Sequence, residues 1–222
     1  MKVLITGTSS GIGKATAELF IKEGFDVIGY DIKEASIENE HYKHYIIDVS
    51  KKEELLDLDD LDYLINNAGT VEEDKALATN IVGYINVAEK YKDLPSLKSI
   101  LNIGSLSAFE GLDEPFYCAS QGARVAYTKN LANRVSKERH IPVNLLCFGP
   151  TLTGLEPHLY IHTDLVEKVA NENLLNRWIS PEEAAEWVYF MSVKNKSMVG
   201  QCPLVDAGEL AKKNWIHVEE KK

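Results

Sequence analysis

Residues Lys2 to Gly13 read KVLITGTSSGIG. An apolar run, Val3-Leu4-Ile5, enters a turn of small residues that carries Gly7, Gly11 and Gly13, and a helical pattern follows from Lys14 to Gly24. A buried strand that runs through a glycine turn into a helix is a phosphate-binding device. The first amides of the helix have no intrahelical partners, and the helix dipole adds partial positive charge beside them. Gly7 permits the sharp exit from the strand, Gly11 lets a pyrophosphate approach the backbone, and Gly13 lets the helix lie close on the sheet. Three spaced glycines alone are a weak signal and are compatible with a loop that binds nothing. The strand before, the helix after and an acid at the end of the next strand give them weight.

Outward from this stretch, strands alternate with helices. FDVIGY (Phe25–Tyr30) reads as a second strand, HYII (His44–Ile47) as a third, Tyr63–Ile65 as a fourth, Ser99–Ile103 as a fifth, Val143–Phe148 as a sixth and CPLV (Cys202–Val205) as a seventh. Helical patterns lie at Lys14–Glu23, Lys75–Tyr91, Tyr117–Arg139 and Pro181–Met191. This order predicts an α/β fold over residues 1–210. It is a single doubly wound (Rossmann) domain, a parallel sheet of about seven strands with helices on both faces. The segment between Asp48 and Asn66 is too short for a full crossover helix, and ELLDLDDLDYL predicts a turn or two. A polar segment at about 155–178, with His158, Tyr160, His162 and Trp178, reads either as a small substrate lid or as an amphipathic helix over the sheet edge. Residues 211–222 form a charged tail expected to be solvated.

The chain has 222 residues and a formal net charge of −10, which argues against nucleic acid or an anionic membrane as the main partner. No stretch reaches the roughly 18 apolar residues of a membrane span. The sequence enters its first strand at once, so no signal peptide and a cytoplasmic location are expected. Cys118, Cys147 and Cys202 have neither metal-ligand spacing nor an even disulfide framework and read as buried thiols. The six histidines show no HExxH-type pairing, so no metal is expected.

Ligands of such sheets bind beyond the carboxyl ends of the strands. Asp31 closes the second strand. A carboxylate there accepts hydrogen bonds from both hydroxyls of an adenosine ribose and repels a 2′-phosphate, which favours NAD(H) over NADP(H). Asp48, after the third strand, can reach the adenine amino group. Asn66-Asn67-Ala68-Gly69 ends the fourth strand and can pack against adenine and ribose, or form a plain Asx turn. Ser105 lies at the end of the fifth strand, and Tyr117 follows twelve residues later at the head of a long helix. Two such hydroxyls can share one carbonyl, which Ser105 polarises while Tyr117 gives or takes the proton. Taken singly, Ser105 is an ordinary turn residue and Tyr117 a packing aromatic.

With these residues in place, the sequence resembles the classical short-chain dehydrogenase/reductase family from Lys2 to about Leu210. Thr6, Gly7, Gly11 and Gly13 match TGxxxGxG, and Asn66-Asn67-Ala68-Gly69 match NNAG. Asn102-Ile103-Gly104-Ser105 is similar to the NISS strand end. Gly149, Thr151 and Thr153 match PGxxxT, although Phe148 stands where the family has proline, and Val205-Asp206-Ala207-Gly208 resembles VDGG. The resemblance implies catalytic roles for Ser105, Tyr117, Asn80 and Gln121, Asn80 being the helix asparagine that holds a water in the proton relay. It implies a dinucleotide site built from Thr6, Gly7, Ser9, Ser10, Gly11, Ile12, Gly13, Asp31, Asp48, Val49, Asn66–Gly69, Tyr117, Gln121, Gly149, Thr151 and Thr153. It also implies a homodimer or homotetramer paired through the helices around Asn80–Tyr91 and Tyr117–Arg139.

The family's YxxxK is Tyr117-Cys118-Ala119-Ser120-Gln121 here. Gln121 can bond a ribose, but it carries no charge with which to favour tyrosinate. Arg124 shares a helix face with Tyr117 and Gln121. It could supply the missing charge, and its spacing from Tyr117 is that of the tyrosine and lysine in the family's enoyl reductases. The preferred reading is a surface or dimer-interface arginine, since most helix arginines reach into water. Only ten residues separate Gly69 from Asn80, about half the family's usual number. Two functions are weighed. One is an NAD(H)-dependent oxidoreductase similar to 3-oxoacyl-carrier-protein reductases, acting on a small carbonyl or alcohol substrate. The other is a catalytically impaired dinucleotide-binding sensor or scaffold. A nucleotide-sugar epimerase relative would need a longer chain.

Overall fold

The computed structural model describes residues 1–153 and 163–212. Its strands are β1 (Lys2–Thr6), β2 (Asp26–Asp31), β3 (Tyr42–Ile46), β4 (Tyr63–Asn66), β5 (Ser99–Ser105), β6 (Val143–Phe148) and β7 (Leu204–Val205). All pair in parallel in one seven-stranded sheet of order β3-β2-β1-β4-β5-β6-β7. The order reverses between β1 and β4, which opens the crevice where doubly wound folds bind ligands. The expected fold class is therefore the observed one.

The helices are α1 (Gly11–Lys22), α2 (Glu73–Leu77), α3 (Tyr84–Tyr91), α4 (Ser107–Glu110), α5 (Pro115–Arg139), α6 (Thr163–Ala170) and α7 (Pro181–Tyr189). Period-2 alternation in the strands divides the core into two layers. On one face, Val3 and Ile5 of β1 pack with Phe20 of α1 and Val188 of α7. On the other, Leu4 packs with Val87 of α3 and Leu131 of α5.

Several expected bounds shift for physical reasons. β3 occupies Tyr42–Ile46 rather than His44–Ile47, because Tyr42 turns into the core while the rest of this edge strand faces outward. β7 keeps only Leu204–Val205 of the expected four residues, since Pro203 has no amide for the ladder. The long helix expected from Lys75 to Tyr91 is broken by a π turn over Ala78–Gly83. There Gly83 lies so close to the segment after β3 that a Cβ would meet Val49 Cγ2 at 2.7 Å. The crossover between β3 and β4 is a single 3-10 turn, Lys52–Glu54, as its length requires. Of the expected lid, residues 155–162, with His158, Tyr160 and His162, lie outside the described residues, and the remainder includes α6 and Trp178, whose Nε1 donates to Val166 O at 2.8 Å. Most of the charged tail, residues 213–222, is also outside them. Of the three free cysteines, Cys147 is buried, which pushes its thiol up to about 12, while Cys118 and Cys202 are only half-buried.

Candidate active site

The glycine turn has the geometry that its sequence predicts. Gly7 and Gly11 adopt left-handed backbone, φ +77° and +56°, conformations that side chains disfavour. A Cβ on Gly13 would stand 1.9 Å from Gly7 O, so the start of α1 lies directly against the strand exit. Ser10, the N-cap, makes no side-chain bond to the first amides of α1, and the first turn carries no acidic residue. Ile12 packs on the core behind the turn. The result is a backbone cradle with unsatisfied donors that fits a pyrophosphate.

Around the cradle, the strand ends are stitched together. Thr6 Oγ1 accepts from Asn67 N (2.9 Å) and Ala68 N (2.8 Å), and Asn67 Nδ2 donates back to Thr6 O at 2.9 Å. Asn67 thus ties β4 to β1 across the switch point and is no plain Asx turn. Asn66 is buried beneath it and donates to Tyr84 O at 2.8 Å. Asp31 Oδ2 accepts from Ser9 N at 2.9 Å, and its Oδ1 from Lys33 N at 2.9 Å. A carboxylate has about four acceptor positions, so room remains for ribose hydroxyls. Asp48 Oδ1 closes a turn with the Ser50 amide and hydroxyl, and Val49 is buried in the core. On the far side, Gly149 presses on Asp206, Thr151 Oγ1 donates to Gly149 O at 2.9 Å, and Thr153 abuts Gly11.

The catalytic candidates gather at the ends of β5 and α5. The Glu73 carboxylate at the start of α2 accepts from Phe116 N (3.1 Å) and Tyr117 N (2.9 Å), capping α5 and fixing its first turn. Asn80 sits in the π turn, fully buried. Its Oδ1 accepts from Thr70 N (2.9 Å), and its Nδ2 donates to Thr70 O (2.8 Å) and Ser120 Oγ (3.0 Å). Ser120 Oγ donates to Tyr117 O at 2.7 Å, so Asn80 reaches the Tyr117 backbone through one serine. Gln121, one turn below Tyr117, is 2% exposed, and its Oε1 is buried with no hydrogen-bond partner among the described residues. An orphaned, enclosed amide oxygen at this position is an acceptor without a donor, and the side chain has to turn outward before it can meet a ribose hydroxyl.

Arg124 overturns the surface reading. It is 3% exposed. Its guanidinium donates to Asn80 O (3.0 Å), Ile103 O (2.7 Å) and Ala68 O (2.9 Å), and lies 4.6 Å over the Tyr84 ring. Burial pulls its pKa down, whereas attraction to the Tyr84 and Tyr117 phenols works the other way. The physical reason is local: three strand-end and helix carbonyls converge on a dry space that only a planar multi-donor group fills. Spacing on α5 placed Arg124 on the Tyr117 face, but sequence did not reveal that this face is the buried one. Glu73, Ser107, Asp113 and Ser120 were also missed, their roles resting on contacts with no local signature. Among the described residues, no helix is long and apolar enough to cross a membrane, and no cluster of His, Cys, Asp or Glu could hold a metal.

Comparison with known proteins places this geometry among relatives. The family model described as Enoyl-(Acyl carrier protein) reductase matches residues 7–209. The chain is 30% identical over 237 residues to Carbonyl reductase family member 4 of Xenopus tropicalis, covering 92% of this chain and 95% of that protein. It is 28% identical over 246 residues to the 3-oxoacyl-[acyl-carrier-protein] reductase FabG of Thermotoga maritima, covering 92% and 96%. Among solved structures, a short chain dehydrogenase family protein from Francisella tularensis superposes with TM-score 0.86 at 28% identity, over 95% of this chain and 99% of that one. 4-Hydroxyisoleucine dehydrogenase complexed with NADH superposes with TM-score 0.82 at 26% identity, over 96% and 99%.

Proposed function

The chain belongs to the short-chain dehydrogenase/reductase family, and from that premise we propose that it is an NAD(H)-dependent oxidoreductase of small carbonyl or alcohol substrates, akin to the 3-oxoacyl-carrier-protein reductases. The observation that carries this reading is the unpartnered Gln121 Oε1, buried one turn from Tyr117. It sets an amide acceptor, enclosed in this structure, one turn along the helix from Tyr117.

In this reading, the amides of the Gly7–Gly13 turn, with Ser9, Ser10 and Ile12, hold the pyrophosphate. Asp31 holds the adenosine ribose and disfavours a 2′-phosphate. Asp48, Val49 and Asn66–Gly69 flank the adenine side, Gln121 holds the nicotinamide ribose, and Gly149, Thr151 and Thr153 meet the carboxamide. The bound dinucleotide supplies or accepts a hydride at its nicotinamide ring. Ser105 and Tyr117 hold the substrate oxygen between them and manage its proton. Arg124 provides the fixed positive charge beneath Tyr117 that Gln121 does not. The protein acts in the cytoplasm as a dimer or tetramer paired through α3 and α5.

The uncharged Gln121 favours a second reading, a dinucleotide-binding sensor or scaffold without efficient turnover. One assay separates the two: NADH consumption with ketones, aldehydes and 3-oxoacyl thioesters, and NAD+ reduction with alcohols, on wild type beside Gln121→Lys. Turnover by wild type with little gain from the lysine supports the oxidoreductase. A silent wild type and an active Gln121→Lys would overturn it in favour of the sensor.

A further inference from the structure

Ser105 does not stand alone at the end of β5. Its Oγ lies 2.8 Å from Ser107 Oγ, and it accepts from the Ser107 amide at 3.2 Å. Ser107 Oγ in turn donates to Asp113 Oδ2. Ser107 is 4% exposed and Asp113 lies at the surface, so the three side chains run from the crevice through a dry link to water. Two features place Asp113 there: α4 ends at Gly111 in left-handed backbone, φ +67°, and α5 restarts at Pro115.

The chain of hydroxyls has a polarity. A serine hydroxyl holds one hydrogen. Ser107 commits its hydrogen to the Asp113 carboxylate, so the hydrogen between the two serines comes from Ser105. Ser105 Oγ therefore turns a lone pair, rather than a proton, toward a substrate oxygen. The next residues on the Tyr117 face cannot take up a proton: the Gln121 amide does not titrate, and the Arg124 guanidinium keeps its charge.

We propose that Ser107 and Asp113 form a proton relay through which Ser105 takes the hydroxyl proton of a secondary alcohol, so that this site is set for dehydrogenation with Asp113 as its terminal base. The proposal rests on the oxidoreductase reading above. The substrate O–H bond breaks as a new O–H bond forms at Ser105 Oγ. The Ser105 hydrogen passes to Ser107 Oγ, and the Ser107 hydrogen passes to Asp113 Oδ2 and on to water. The electron pair of the carbinol C–H bond leaves as hydride to NAD+, so the alcohol is oxidised to a carbonyl and the dinucleotide is reduced. Ser107 and Asp113 act through Ser105 and position its hydrogen. Tyr117, with Arg124 beneath it, holds the substrate oxygen from the other side while the proton leaves through Ser105.

The test uses Asp113→Asn, which keeps the side-chain size and an acceptor oxygen but takes up no proton. NAD+ reduction is followed with cyclohexanol, 1-phenylethanol and a 3-hydroxybutyryl thioester. NADH affinity is read separately, from its fluorescence on binding the protein without substrate. A relay predicts a kcat reduced by roughly 100-fold, with an unchanged KM and NADH dissociation constant and a thermal midpoint no lower than that of wild type. Asp113→Glu should recover part of the rate. Ser107→Ala should lose as much as Asp113→Asn, and the double variant no more than either, because the two act as one unit. A wild-type kcat in Asp113→Asn, additive losses, or a loss matched by weaker NADH binding would each overturn the relay. A wild type silent on all three alcohols and on the carbonyl panel would remove the oxidoreductase reading and the relay with it, whereas an active wild type matched by Asp113→Asn removes the relay alone.

Discussion

Arg124 Nη1 donates to the Ile103 carbonyl at 2.7 Å, locking the third turn of α5 against β5 two residues before Ser105. Nε and Nη2 hold Asn80 O and Ala68 O, so one guanidinium joins α5, the π turn and the end of β4. Arg124→Met would take a charged donor from each of three main-chain carbonyls. Hydrogen bonds to a charged group contribute about 1.5–3 kcal/mol each, and the variant should lose about 3 kcal/mol or more in urea unfolding. Arg124→Lys keeps the charge but cannot serve three divergent acceptors, and should lose about 1–3 kcal/mol. Equal stability of Arg124→Met and wild type would show that the carbonyls find other partners.

Gly13 faces Gly7 across the cradle with no space for a side chain. Since the clash is with main chain, Gly13→Ala must move α1 or the strand exit. Overpacking of this kind costs about 1–3 kcal/mol, and the displaced amides should weaken NADH binding by at least about tenfold, equivalent to about 1.4 kcal/mol. Fluorescence titration with NADH, alongside circular dichroism to verify folding, measures it. A folded variant with wild-type affinity would argue that the cradle does not hold the pyrophosphate.

Asp31 serves both the fold and the cofactor site, since it clamps the Ser9 amide while presenting its remaining acceptor positions outward. Asp31→Ser keeps an acceptor for the ribose and removes the charge that opposes a 2′-phosphate. The ratio of NADPH to NADH affinity should rise by about 10–100-fold, the effect of removing about 1.4–3 kcal/mol of like-charge repulsion. An unchanged ratio would place the preference elsewhere.

The parts that were legible in the sequence were local. Val3-Leu4-Ile5 into Gly7–Gly13 specifies a strand, a turn and a helix from neighbours alone, and seven strand-like runs interleaved with four helical patterns point to the doubly wound class. The strand-end residues Asp31, Asn67 and Ser105 followed from the rule that such sheets bind ligands at their carboxyl ends. Arg124 was not legible. Its partners Ala68, Asn80 and Ile103 are far away in sequence, and the same spacing suits a solvated face. The Ser107–Asp113 bond likewise depends on the turn at Gly111, and the π turn around Asn80 on how closely Gly83 approaches Val49. Tertiary contact decided each of these.

Glu209 gives the molecule a stability that depends on pH near neutrality. Burial, together with Glu110, Asp206, Glu172 and Asp113, pushes its carboxyl up to about 7 from an ordinary 4.5, and its Oε2 is buried without a partner among the described residues. Between those values the native state keeps a proton that the unfolded chain has released. The native state is therefore favoured as pH falls through this window and loses stability as pH rises through it. Glu110 is shifted the same way by burial and by Asp113 and Asp206, whereas Asp26, Glu89 and Glu183 are pulled below the ordinary carboxylate range by His41, Arg134 and Arg177, so they act only in more acid solution. Glu209→Gln mimics the protonated state and removes the dependence. At pH 8 the variant should exceed wild type in stability by about 1–2 kcal/mol, after allowance for partial solvent screening, and near pH 4.5 the difference should vanish. Thermal unfolding of both proteins at the two pH values checks this. The same offset at both would mean that Glu209 titrates as an ordinary surface carboxylate.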